Sequence, residues 1–177
     1  MADTATCAPA EAMKALPCAI CRAEAPYEVL FPQRMPSDGI TPRTFSARRL
    51  PDRVHYRIVR CRACRLVYST PVLVGQITEH LYRDSHFTYG EIIGDLRQTY
   101  GTYLRRAASH VPSKDAFLEV GCGNGFALSQ ALALGFRDVR GIEPSVEAVA
   151  NAEPSLRPSI VNGMLTAHSF PERSFDL

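Results

Sequence analysis

The chain has 177 residues, enough for one ordinary domain or for a small domain and part of a larger one. Hydrophobic residues make up 46% and charged residues 21%, which is the balance of a globular protein, and no apolar run approaches the roughly 20 residues of a membrane span. This composition excludes a membrane-spanning protein, and the lack of a basic-then-apolar signal pattern predicts a cytoplasmic protein without a membrane partner.

Charge is unevenly distributed along the chain. Residues 1–70 hold 11 lysines and arginines against 6 acids, whereas residues 71–177 hold 9 against 12. The contrast predicts two units with different roles. Residues 1–16 are rich in alanine and lack a strong period, so we predict a flexible tail there. Cys7 lies in this tail and has no C-x-x-C partner.

Two C-x-x-C pairs follow, Cys18 with Cys21 and Cys61 with Cys64, separated by 39 residues. In a reducing compartment such pairs serve as metal ligands rather than disulfides, and two of them fill the four positions of a tetrahedral Zn²⁺. The proline-rich stretch between them predicts a long irregular insert. We therefore predict a zinc ribbon with a long insert over residues 17–72 and a structural zinc ion. A ribbon without metal and a redox dithiol are the alternatives.

Arginines are concentrated in the same region. Eight lie between Arg43 and Arg65, against a single acid, Asp52. A zinc ion held by four thiolates carries a net negative formal charge, which part of these arginines would offset. Since no pattern of aromatic and basic residues suited to base stacking accompanies them, we interpret a solvated face and do not expect nucleic acid as a partner.

Residues 73–112 are predicted to be a linker followed by a cover helix. An aromatic and polar segment runs from Leu81 to Tyr89. Apolar residues then recur on one side of a helical pattern over residues 91–109, which stops near Pro112.

The next stretch has the pattern of a ligand-binding turn. An apolar run over residues 116–120 predicts a buried parallel strand, Gly121, Gly123 and Gly125 follow at alternate positions, and a helix is predicted over residues 126–134. Glycine lets the backbone approach a ligand, and the first amides of a helix are free to donate. A phenylalanine occupies the position of the third glycine of a dinucleotide fingerprint, which disfavours an NAD(P) enzyme.

Further elements are predicted after this turn. They are a second strand over residues 138–142, a short helix that Ser145 caps and that extends to about residue 152, and a third strand over residues 158–162. An acid, Glu143, follows the second strand 18 residues after Gly125.

Several of these motifs resemble one protein family. Glu119 to Gly125 reads E-x-G-x-G-x-G, which resembles the first motif of class I S-adenosylmethionine (SAM)-dependent methyltransferases. Residues 141–145, Gly-Ile-Glu-Pro-Ser, resemble the end of the second strand of that fold, and residues 170–177 resemble the approach to its fourth strand. The chain is identified as an α/β protein in which a zinc ribbon precedes the first half, three strands, of a Rossmann-like class I methyltransferase sheet over residues 113–177.

The run that begins at Cys61 resembles the second knuckle of the N-terminal zinc ribbon found on a subset of these enzymes. Arg65 stands where that ribbon pattern has a glycine, a position that often takes a left-handed backbone. Some ribbon-bearing relatives methylate carbon in nucleotide-linked sugars, and others act on different small molecules.

The resemblance implies a SAM site. Its implied cofactor-binding residues are Glu119, Gly121, Cys122, Gly123, Asn124, Gly125, Glu143 and Met164. Glu143 is implied to accept the ribose hydroxyls, Glu119 to orient the loop or to reach the amino-acid end through water, and Met164 to pack on the adenine ring. Cys122 is interpreted as a small space-filling residue.

The segment before the cover helix supplies candidates for substrate contact. These are Tyr82, His86 and Tyr89, and for each the alternative is that the side chain packs the linker onto the main domain. No general base is assigned.

The implied activity is transfer of a methyl group from SAM to a small molecule such as a nucleotide sugar. The alternative is a non-catalytic zinc-ribbon module for protein or nucleic acid, with a vestigial methyltransferase half. Because a complete class I sheet continues beyond three strands, we expect a fragment that is inactive alone and needs a complementing chain or a second copy of itself.

Overall fold

The computed structural model describes residues 13–24, 26–35, 40–46 and 53–177. The chain divides into two compact units, the first ending at Leu81 and the second comprising Tyr82–Leu177. Cys7, most of the predicted tail and part of the arginine-rich segment, including Asp52, lie outside the described residues.

The first unit contains a three-stranded antiparallel sheet in the order β2-β3-β4. Its strands are β2 (Tyr27–Phe31), β3 (Ile58–Cys61) and β4 (Val67–Ser69). Val59 of the central strand is fully buried and lies opposite Val29 and Tyr68. Because β3 ends at Cys61, the second cysteine pair lies at the end of the sheet where the chain turns from β3 to β4.

A second, two-stranded sheet joins segments near the beginning and the end of this unit's sequence. β1 (Met13–Lys14) pairs antiparallel with β5 (Val72–Leu73), and the unit also holds α1 (Pro42–Phe45) and most of α2 (Gln76–Arg83). Leu73 and Leu81 pack with Ile40 in one buried cluster. Met13 and Lys14 are thus paired with β5, and Leu73 and Leu81 pack within the first unit.

The second unit is an α/β fold built on a parallel sheet in the order β6-β7-β8, which confirms the predicted fold class for this part of the chain. The strands are β6 (Ala116–Val120), β7 (Asp138–Glu143) and β8 (Ile160–Asn162), and the helices are α3 (Ile93–Ala108), α4 (Phe126–Ala133) and α5 (Val146–Ala150). All three strands point the same way, so their carboxyl ends meet at one edge of the sheet.

The predicted boundaries in this unit agree with the structure to within two residues, α5 ending at Ala150, and two of the differences have a local reason. β8 starts at Ile160 instead of residue 158 because Arg157–Ser159 form a 3₁₀ turn, and Pro158 has no amide to donate to a ladder. The cover helix likewise begins with a 3₁₀ turn, Gly90–Ile92, before α3.

The core of the second unit lies between the sheet and α4. Leu128 and Ala131 of α4 are fully buried against Val139, and the rings of Phe117 and Phe136 have centroids 5.5 Å apart. This cluster fixes the position of β6 relative to α4, and thus of the turn that joins them.

The last residues run along the free edge of β6. The Asp176 amide donates to the Ala116 carbonyl, and the Leu118 amide donates to the Leu177 carbonyl, each over 2.9 Å. These residues belong to the segment 170–177 that resembles the approach to a fourth strand. The Asp176 carboxylate also accepts hydrogen bonds from the Ser113 hydroxyl at 2.6 Å and from two backbone amides.

Among the described residues, no helix combines the length and the apolar composition required to cross a bilayer.

Candidate functional site

The four cysteines of the two pairs converge in the first unit. Their sulfur atoms all lie within 4.8 Å of one another. The Sγ atoms of Cys18 and Cys64 are 3.4 Å apart, and those of Cys21 and Cys61 are 3.5 Å apart. Zinc–sulfur bonds of about 2.3 Å in a tetrahedron separate the sulfurs by about 3.8 Å. The cluster thus has the donor set and the size that one zinc ion requires.

Both knuckles have the same backbone geometry. The Arg22 amide donates to the Cys18 carbonyl at 2.9 Å, and the Arg65 amide donates to the Cys61 carbonyl at 3.0 Å. These arginines have φ values of 60° and 69°. Arg65 therefore adopts the left-handed backbone expected of the glycine that it replaces. The backbone amide of Cys21 lowers the pKa of the Cys18 thiol, whereas contact with the Cys61 thiol raises the pKa of Cys21, so the proton that the cluster keeps lies on Cys21 rather than on Cys18.

In the second unit, the three glycines of the turn face different surroundings. A Cβ atom placed on Gly121 would meet nothing within 4 Å, so this glycine leaves open space. One on Gly125 would lie 3.1 Å from Cδ1 of Ile160, so Gly125 permits close packing of helix on sheet. One on Gly123 would collide with the hydroxyl of Tyr89. Only Gly121 thus offers an unobstructed backbone surface to a ligand.

Cys122 is a packing residue. Its side chain is 1% exposed, and burial raises the pKa of its thiol to about 12. A Cβ on Gly141 would lie 2.5 Å from its sulfur, so the thiol fits only because β7 carries a glycine there. The interpretation of Cys122 as a space-filling residue agrees with this environment; the need for Gly141 was not apparent from the sequence.

Glu143 lies at the carboxyl end of β7 and joins two turns. Its Oε2 accepts the Gly123 amide and its Oε1 accepts the Ser145 amide, each at 2.8 Å, while only 9% of the residue is exposed. The Asn162 side chain donates to the Glu143 carbonyl at 2.8 Å. Each carboxylate oxygen has a second lone pair, so Glu143 keeps capacity to accept ligand hydroxyls.

Glu119 is the second acid near the turn. Its Oε2 is buried and has no hydrogen-bond partner among the described residues, and the same is true of Oδ1 of Asn124. Burial, and then the charge of Glu143, raise the pKa of Glu119 to about 8. Buried acceptors without donors are costly, so a ligand that brings N–H or O–H groups to them is favoured.

Tyr89 forms one wall beside the turn. Its hydroxyl lies where a Cβ on Gly123 would stand, and its ring packs edge-on against Phe126 with centroids 6.4 Å apart. Burial raises the pKa of Tyr89 to about 12, so its hydroxyl remains protonated at neutral pH and can donate.

The other predicted contacts lie on three separate segments of the chain. His86 has its Nδ1 3.1 Å from Oε2 of Glu147, which lies in the first turn of α5. Tyr82 lies in the last turn of α2 and is 39% exposed. Met164 follows β8 and is 37% exposed. The roles of these side chains stay predictions.

Comparison with known proteins gives one family match. Residues 118–177 match the model of a family described as a methyltransferase domain. This segment begins within β6 and includes the glycine turn, Glu143 and Met164. No curated protein matches the chain.

Among solved structures, the chain is similar to SAM-bound CalS10, an amino pentose methyltransferase from Micromonospora echinaspora involved in calicheamicin biosynthesis. The identity is 25%, and the match covers 56% of this chain and 39% of that chain, with a TM-score of 0.25. The chain thus spans well under half the length of that relative, and a TM-score this low supports no structural comparison of their sites.

Proposed function

We propose that this chain, of which residues 118–177 match the model of a methyltransferase domain, is part of a class I SAM-dependent methyltransferase that binds SAM at the glycine turn and methylates a small molecule. The observation that carries the proposal is the pair of buried acids, Glu119 and Glu143, on either side of this turn. The charge of Glu143 attracts a positively charged ligand in this site of low dielectric constant, and such a ligand favours the ionised form of Glu119.

Each chemical group of SAM has a matching residue at the glycine turn. SAM supplies a methyl group activated on a positively charged sulfur, and its amino-acid end carries an ammonium group. Glu143 would accept ribose hydroxyls with its remaining lone pairs, and Oε2 of Glu119 would accept from the ammonium group. Gly121 offers the open backbone surface, and Oδ1 of Asn124 a further acceptor.

For the acceptor, we propose a small molecule of the nucleotide-sugar type. This rests on the resemblance of the second cysteine knuckle to the ribbons of such enzymes. Tyr89, His86 and Tyr82 are the candidates for contact with it. Tyr89 is the best supported of the three, because its protonated hydroxyl lies against the turn itself.

For the first unit, we propose one structural zinc ion held by Cys18, Cys21, Cys61 and Cys64. Such an ion would tie the N-terminal knuckle to the hairpin of β3 and β4. Elemental analysis of the purified protein should give one zinc per chain. Removal with a strong chelator should cause a cooperative loss of structure, and retention of both fold and stability without metal would contradict a structural zinc.

The donor site is tested by isothermal titration of the natural protein with SAM. Wild type should bind one equivalent, and Glu143→Gln should weaken binding at least tenfold, since an amide replaces one of the acceptor oxygens. Asp138→Asn is the matched control, because Asp138 lies on the same strand but is half-exposed and paired with Arg140. Thermal unfolding of each variant separates lost binding from lost fold.

The same preparation tests the alternative function. If the natural protein binds no SAM but its zinc-loaded form shifts an oligonucleotide at physiological salt, the ribbon-module interpretation replaces the proposed function.

A further inference from the structure

The segment Ser85–Tyr89, called here the strap, has neither helix nor strand structure, yet its last residue reaches the glycine turn. The hydroxyl of Tyr89 occupies the space that a Cβ on Gly123 would need. A segment without its own ladder of backbone hydrogen bonds needs other contacts to hold a side chain in so defined a place.

Three hydrogen bonds attach the strap to the region after β7. The Ser145 hydroxyl donates to the Ser85 carbonyl at 2.9 Å. The two carboxylate oxygens of Glu147 make the other contacts, Oε1 accepting the Phe87 amide at 3.1 Å and Oε2 lying 3.1 Å from Nδ1 of His86. One carboxylate thus holds both the main chain and a side chain of the strap.

Glu147 occupies a position from which it can act on the turn without touching it. It lies in the first turn of α5, and the N-cap of that helix, Ser145, is also bonded to the Glu143 carboxylate through its amide. The acid that holds the glycine turn and the acid that holds the strap are therefore four residues apart on one short segment.

We propose that Glu147 is a positioning residue of the donor site, which fixes the strap so that Tyr89 forms a wall of the cradle beside Gly123. The inference rests on the proposed function, because it assigns Glu147 a part in donor binding. It adds a residue that the ligand does not contact and that no motif of the sequence singled out for this role.

The exposure of the contacts sets the expected size of the effect. The side chains of Glu147 and His86 are 47% and 50% exposed, so water competes with these bonds and each one contributes modestly. Loss of two hydrogen bonds to a charged acceptor is expected to weaken binding by about tenfold.

The test measures the affinity of the natural protein for S-adenosylhomocysteine, the stable product, by isothermal titration. Glu147→Ala should raise Kd about tenfold, and Glu147→Gln, which keeps an acceptor for the Phe87 amide, should recover most of the affinity. Glu153→Ala is the control: Glu153 is 50% exposed and pairs with Arg97 at 2.6 Å, away from the strap, so its Kd should stay within about twofold of wild type.

A double variant tests whether Glu147 acts through Tyr89. The variant with both Glu147→Ala and Tyr89→Phe should have a Kd increase smaller than the product of the two single increases, because both changes disturb the same chain of contacts. Without any ligand, Glu147→Ala should also speed hydrogen exchange at the Phe87 amide, which a distant structural effect would not do selectively.

The outcomes distinguish the two proposals. If wild type binds and Glu147→Ala binds equally well, or if the two single effects multiply in full, the inference about Glu147 is overturned and the proposed function stands. If wild type binds neither SAM nor its product, the proposed function fails and the role of Glu147 in it falls as well.

Discussion

Binding of the positively charged donor should release a proton from Glu119. In the structure, burial and the neighbouring Glu143 raise the pKa of Glu119 to about 8. At pH 6.5 the free protein therefore carries this proton on about 97% of molecules. An ammonium group at the buried Oε2 favours the carboxylate, and an opposite charge at contact distance lowers a carboxyl pKa by about 1–3 units. A fall of one to three units would release about 0.2 to about 0.9 proton per donor bound at this pH.

Calorimetry counts that proton. The binding enthalpy of SAM is measured at pH 6.5 in buffers of different ionisation enthalpy. The slope of binding enthalpy against buffer ionisation enthalpy gives the number of protons transferred. This pH keeps the amino group of the donor protonated, since such groups titrate near pH 8. Glu119→Gln has no proton to lose and should show a slope near zero. Tight binding by wild type with an equally flat slope would refute the placement of the ammonium group beside Glu119.

The same shift has a consequence for the ligand-free protein. Because the folded state raises the pKa of Glu119, it binds more protons than the unfolded state between the ordinary glutamate value and about pH 8. The free energy of unfolding should fall as the pH rises through this range, and Glu119→Gln should remove that part of the fall. Chemical denaturation at a series of pH values measures it.

Further variants test other parts of the structure. Arg65→Gly should stabilise the zinc-loaded protein to denaturant by about 1 kcal/mol, since a left-handed backbone costs residues other than glycine about 1–2 kcal/mol. The control is Arg62→Gly, which lies in the same knuckle but lacks a positive φ and should destabilise the protein. An equal loss of stability in both variants would count against the left-handed turn. Gly123→Ala should lower both Tm and donor affinity because its methyl meets the Tyr89 hydroxyl, and adding Tyr89→Phe should restore part of the loss; no recovery would show that the two residues do not meet. Asp176→Asn should reduce the loss of stability in acid, because hydrogen bonds from a serine hydroxyl and two amides hold the pKa of Asp176 below its usual value. Circular dichroism during an acid titration measures this loss. An acid titration that is the same in the variant and in wild type would contradict the prediction.

Elements that depend on neighbouring residues could be predicted from the sequence. The apolar run of β6 and the glycines that follow it determine a strand, a turn and the start of a helix within a few residues. Ser145 caps α5 as expected, its hydroxyl accepting the Ala148 amide at 3.2 Å. The cysteine spacing likewise indicated the cluster of four sulfurs, since each pair forms a knuckle of its own.

Contacts between distant residues could not be predicted in the same way. The Phe87 amide and Glu147 are 60 residues apart in sequence, and no hydrophobic period links them. Glu143 was expected to face a ligand, yet its carboxylate also holds the amides of Gly123 and Ser145, which follows only from how two turns meet. The boundary between the two units could not be predicted for the same reason. Leu81 belongs to the first unit because it packs with Ile40, which lies far from it in sequence.

The most direct test of the central claim is a crystal structure of the natural protein with S-adenosylhomocysteine bound. The account predicts nucleoside density with its ribose in contact with Glu143, and the amino-acid end of the ligand near Glu119. Density elsewhere in the protein, with both carboxylates still without a ligand partner, would contradict the assignment of the glycine turn as the donor site.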